Sequence, residues 1–174
     1  NIDTSSAIGP FTITINPVND EPSFAVSAPN SVIFRNEDSG TTTIASWAVF
    51  TAGPADEIAL PQTATYTITN VTDPSLFSAG PAVSPTGTLT FTLAANASGI
   101  SNFDVTVQDS GGTANGGDDL SQTNDYTVVV NAVNDAPTLT TFTPFPTGTT
   151  EDTTFVITFS DLQTAANEAD VDGD

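Results

Sequence analysis

The sequence predicts an all-β chain built from tandem Greek-key β-sandwich repeats, and three observations carry that prediction. Apolar residues alternate with Thr in short runs: FTITI (11–15), ATYTIT (64–69), GTLTFTLA (87–94), FDVTVQD (103–109) and YTVVV (126–130). A period of two is the pattern of a half-buried strand. β-Branched and aromatic residues dominate these runs, which suits a pleated surface. Finally, a polar phrase recurs: NPVNDEPSF at 16–24 returns as NAVNDAPTL at 131–139, its Asn-Asp pair displaced by 135 − 20 = 115 positions.

The recurrence defines a unit. Thr12, Asn16, Val18, Asn19, Asp20 and Pro22 match Thr127, Asn131, Val133, Asn134, Asp135 and Pro137. Downstream, NEDSG (36–40) returns as TEDTT (150–154), an offset of 151 − 37 = 114 for the Glu. Two anchors in the same order make a tandem repeat. Residues 1–18 are then the last strand of a preceding repeat, 19–133 a complete repeat of ordinary domain size, and 134–174 the start of the next.

Seven strands are expected in the complete unit. The first two, near 23–28 and 31–34, follow the Pro22 turn and run up to the acidic turn NEDSG. The third, 41–45, leaves that turn. SWAVFTAGPADEIALPQ (46–62) is less regular and reads as a short helical turn or a crossing between sheets. Four alternating runs follow, at 63–70, 87–94, 102–109 and 124–131, with turn residues between them. Trp47, Phe50, Phe77, Phe91 and Phe103 are the expected core. A short helix is expected around 161–168, with Ser160 as its N-cap.

Composition excludes several function classes. Arg35 is the only basic residue against 21 Asp and Glu, for a formal charge of −20. Nothing here neutralises phosphates, so nucleic acid is excluded as a partner, and an anionic membrane surface is disfavoured for the same reason. No apolar run is long enough to insert into a membrane. Lacking Cys, the chain has no disulfide scaffold, which leaves the compartment open. Without His, Cys or Lys the usual nucleophile–base pairs are missing. Adjacent acids such as Asp118-Asp119 or Asp56-Glu57 are the only formal candidates for carboxylate-pair hydrolysis, and loop acids of this kind are more often solvated or metal-bound. The chain is expected not to be an enzyme. Its abundant hard oxygen ligands favour calcium over softer metals, and a bound cation would screen the self-repulsion of so acidic a chain.

Some short motifs mean less. DSGGTANGGDD (109–119) reads as a flexible hairpin loop. DVDGD (170–174) has the start of an EF-hand loop without its helices. The sequons at Asn70 and Asn96 depend on the host. The abrupt start on NIDTSSAIGPF and stop on EADVDGD are those expected of an excerpt from a longer protein.

PVNDEPSF and AVNDAPTL resemble the linker motif of cadherin repeats, and VTVQDSGG (105–112) and EADVDGD (168–174) resemble two further segments of that family. Most of the unit, from AGPADE through VTVQDSGGTANGGDDLS to VNDAP, is similar to the bacterial cadherin-like tandem repeat of very large surface and adhesin proteins. The resemblance implies cadherin/Ig-like sandwiches joined at junctions that bind calcium. Carried over residue by residue, it implies Asn19, Asp20 and Asp109, with Asp56 or Glu57, at the first junction. At the second it implies Glu37, Asn134, Asp135, Asp170 and Asp172, and Glu151 repeats the place of Glu37. Two departures point to fewer ions than in animal cadherins: Pro17 and Ala132 stand where a third acid belongs, and LAANASG carries none of the mid-domain acids.

The expected function is a spacer or stalk repeat of an extracellular bacterial adhesin or surface fibre, stiffened by calcium. Its partners would be adjacent repeats, other cell-surface proteins or further copies of the chain. Two alternatives are a self-assembling filament or surface-layer subunit, and a carbohydrate- or receptor-binding module. The last needs an exposed aromatic platform, for which Trp47, Tyr66 and Tyr126 are the candidates.

Overall fold

The computed structural model describes residues 9–27, 31–58, 61–142, 154, 156–158, 160, 161 and 166–169. Among the described residues between 19 and 133 there are nine strands: β1 (Ser23–Val26), β2 (Val32–Asn36), β3 (Thr41–Ile44), β4 (Ala48–Thr51), β5 (Thr65–Thr69), β6 (Phe77–Val83), β7 (Leu89–Leu93), β8 (Gly99–Gln108) and β9 (Asn124–Asn131). A one-turn helix, α1 (Ala55–Ile58), lies between β4 and β5. Beyond it, β10 (Thr138–Phe142) pairs antiparallel with β11 (Ala166–Ala169).

The strands form an all-β sandwich. One sheet has the order β2-β9-β8-β5; opposite it lie the sheet β3-β7-β6 and the pair β1-β4. β2 runs parallel to β9, from Val32 opposite Thr127 to Asn36 opposite Asn131. The other pairs are antiparallel. β5 pairs with β8 while the intervening β6-β7 hairpin sits in the other sheet. Gly87 makes the turn of that hairpin: its amide donates to the Ser84 carbonyl, its φ is 77°, and a Cβ there would lie 1.8 Å from the carbonyl oxygen of Ala48. Only glycine fits.

Strand alternation builds the core. Ser101, Phe103, Val105 and Val107 of β8 point inward, as do Tyr126, Val128 and Val130 of β9. They meet Leu89, Phe91 and Leu93 of β7 and the fully buried Trp47. The Trp47 ring stands edge-on to Tyr126 with centroids 4.7 Å apart. Trp47, Phe91 and Phe103 are therefore core residues as expected, whereas Phe50 and Phe77 are only half-buried. The buried hydroxyl of Ser101 accepts from the Asp73 amide at 3.1 Å.

Two strands escape the sequence patterns. β4 lies inside the stretch read as irregular, and β6 (FSAGPAV) holds a Gly and a Pro that hide its character. Its pairing with β7 shifts register twice, which accommodates both residues. The expected C-terminal helix is met only at its start: residues 160 and 161 are helical, 162–165 lie outside the described residues, 166–169 are in β11, and Thr158 rather than Ser160 takes the capping place. Asp161 accepts from the Thr158 amide at 2.8 Å while its own amide donates to the Thr158 hydroxyl at 3.2 Å, a reciprocal capping pair.

Candidate functional site

Sheet register places an acid at each end of the sandwich. In β8 the inward positions are odd-numbered, so the next after Val107 is Asp109, and it is buried. In β2 the same logic runs from Ile33 through Arg35 to the buried Glu37. Because β8 and β2 run in opposite directions, as β2 parallels β9 and β9 opposes β8, the two acids close opposite rims. Apolar core ends at each rim and a carboxylate continues the row.

At the first rim the incoming chain is gripped. Asn19 donates its side-chain amide to both Asp109 carboxylate oxygens, at 3.0 and 3.3 Å, and to the Asp118 carbonyl at 2.7 Å. The Asn19 carbonyl accepts from the Asp118 amide at 2.9 Å. One residue on, the Asp20 amide donates to Glu57 Oε1 at 2.5 Å. Asp109 and Glu57 stand 109 − 19 = 90 and 57 − 20 = 37 positions from their partners, so these are tertiary closures and not turn chemistry. Close packing depends on missing side chains. A Cβ on Gly111 would lie 1.7 Å from Asn19 Oδ1, and one on Gly53 would lie 1.9 Å from Glu57 Oε2.

Glu57 is only 3 % exposed, yet its Oε2 has no hydrogen-bond partner, and neither does the buried Gln62 Oε1. Both residues line a cavity of about 160 Å³ together with Asn19, Asp56 and Gly111. A buried carboxylate oxygen without a donor is costly, by about 1–3 kcal/mol or more for a charged group. Asp56 stands exposed at the cavity mouth. The set of Glu57 Oε2, Gln62 Oε1 and the Asp56 carboxylate suits a hard cation that completes its shell with water. Among the described residues no three acidic side chains are grouped to hold a metal ion. An ion here would thus lean on amide carbonyls and solvent.

At the second rim the outgoing chain is held by Glu37. Its Oε1 accepts from the Val133 amide at 2.7 Å, and its own amide donates to the Asn131 carbonyl at 3.0 Å. Asn134 turns its amide onto the Asp135 carbonyl at 2.7 Å, and Asp135 is half-buried. Asp170 and Asp172, implied for this junction, and Glu151 lie outside the described residues.

The structure therefore brings Asn19, Asp20, Glu57 and Asp109 together, and sets Glu37 beside the chain that carries Asn134 and Asp135. Gln62 and the backbone of Asp118 were not foreseen. The loop 109–119, expected as a flexible hairpin, closes on the linker instead. Its signal was the glycine run, which lets backbone approach backbone. The three candidates for an aromatic platform do not form one: Trp47 and Tyr126 are buried and Tyr66 is half-buried. Among the described residues no helix is long and apolar enough to cross a membrane. No family model and no curated protein matches the chain.

Proposed function

We infer that the chain is a spacer repeat of an extracellular surface fibre or adhesin stalk, with sandwiches joined end to end and calcium stiffening the seams. The observation that carries this is the placement of the grips. The chain enters at one rim, held by Asp109 and Glu57, and leaves at the opposite rim, held by Glu37. A module held at both ends transmits pull along its length. The cation's role is electrostatic: it would occupy the cavity of Glu57 and Gln62, satisfy their bare oxygens and offset part of the −20 charge. The resemblance to bacterial cadherin-like repeats agrees with that role and with a surface location.

Calcium titration followed by amide chemical shifts tests it. Shifts should concentrate at residues 17–20, 56–62 and 109–118, with a Kd of about 10⁻⁴–10⁻³ M. Glu57→Gln should weaken binding by about tenfold or more while the sandwich spectrum stays intact. Shifts scattered evenly over the acidic surface, unaffected by Glu57→Gln, would remove calcium from the account.

A further inference from the structure

The side-chain amide of Asn19 has one allowed orientation. Its Nδ2 faces both Asp109 oxygens, at 3.0 and 3.3 Å, and the Asp118 carbonyl, at 2.7 Å. A carbonyl and an ionised carboxylate only accept. Turned over, the amide would set its own oxygen against these acceptors, so Oδ1 must face the other way. There Gln62 Nε2 donates to it at 3.1 Å. That contact fixes Gln62 in turn. With Nε2 committed to Asn19, its Oε1 is left buried and without a donor, and reversing the Gln62 amide would set Oε1 against Asn19 Oδ1. Glu57 ends the same way: Oε1 accepts from the Asp20 amide and Oε2 is left bare.

Hydrogen-bond polarity therefore runs in one direction, from Asp109 through Asn19 to Gln62, and no flip of either amide relieves its far end. That end lies at the cavity which Gln62 and Glu57 line. Asn19 and Asp109, which the family resemblance places among the ligands, are engaged elsewhere. Asn19 Oδ1 accepts from Gln62 and its backbone carbonyl accepts from the Asp118 amide. The buried Asp109 carboxylate accepts from Asn19 and from the Gly111 amide, at 2.9 Å.

We propose that Asn19 and Asp109 are not ligands of the junctional cation but the inner end of a polar relay, and that Gln62 couples the cation site to the docked linker. This rests on the calcium reading above. With Oε1 engaged in the cavity, Gln62 keeps Nε2 on Asn19 Oδ1, and Asn19 keeps Nδ2 on Asp109. Bonds in such a chain polarise and strengthen one another. The coupling is reciprocal: the factor that calcium adds to linker docking is the factor that docking adds to calcium affinity.

Gln62→Glu tests this on the full chain, because it keeps an oxygen for the cation and removes the N–H that holds Asn19. Calorimetric titration with calcium should give an affinity no weaker than the parent's. Protection of the Asp118 amide from hydrogen exchange should rise about tenfold in the parent on adding millimolar calcium, and by less than about twofold in Gln62→Glu. Gln62→Met removes both groups, so affinity should fall about tenfold and the rise should vanish with it. Unchanged exchange at Val128 in β9 would show that the sandwich is intact in each variant. A tenfold rise at Asp118 in Gln62→Glu, or parent affinity in Gln62→Met, would overturn the relay and leave the calcium reading standing. A parent chain with no calcium affinity, its bare oxygens met by water alone, would remove the calcium reading and the coupling together.

Discussion

Asp109 shows how a strand pattern can place a functional side chain. Alternation in FDVTVQD puts it in the inward row, and the row ends where the core ends, so its carboxylate meets the linker rather than oil. That much was legible from the run of residues. Its partner Asn19 was legible as a junction residue through the recurring Asn-Asp phrase. Gln62 was not, because nothing in a lone Gln after a Pro announces that the fold will bring it within 3.1 Å of Asn19. Gly111 is the sharpest test at this scale. Gly111→Ala drives a methyl into the Asn19 amide, so the Asn19–Asp109 bonds break and a buried carboxylate loses donors. We expect a loss of about 1–3 kcal/mol in urea unfolding. Ser110→Ala, next to it, removes only the hydroxyl that accepts from the Thr63 amide and should cost less.

Among the elements, strands with clean alternation were foreseen and β4 and β6, which lack it, were not, while FTITI (11–15) alternates as cleanly and yet lies in no strand. β7, β8 and β9 alternate buried and half-buried residues along their length, since each is paired on both sides in its sheet. β6 lies at a sheet edge, where bulges, Gly and Pro are tolerated and pattern is lost. The tyrosines give these elements a pH signature. Burial raises the pKa of both Tyr66 in β5 and Tyr126 in β9, because a phenolate would be poorly solvated there. A pKa raised on folding gives stability that is full below the unfolded value, about 10, and is lost as pH climbs through the folded one. The thermal midpoint should hold from pH 7 to about 9.5 and then fall. In Tyr66→Phe the fall should be shallower. At neutral pH that variant should be as stable as the parent or up to about 1 kcal/mol more so, because the Tyr66 hydroxyl is buried without a partner.

Over the whole molecule, charge and topology point the same way. On the proposed reading, a sandwich with its two ends gripped through buried acids would work as a link, and 21 acids against one Arg would make such links repel unless cations gather. The sandwich itself was readable in the sequence because most of its strands, though not β4 and β6, advertise themselves locally. The seams were only half readable, since they join residues 37 to 99 positions apart and depend on glycines that act by absence. The central claim is that the linker is docked on the sandwich and that calcium tightens it. Amide hydrogen exchange at Asp20 and Asp118, whose N–H groups bond Glu57 and the Asn19 carbonyl, measures this directly. The account predicts protection at both amides in chelator, rising about tenfold or more in millimolar calcium. Exchange at the rate of a free peptide, the same with and without calcium, would contradict it.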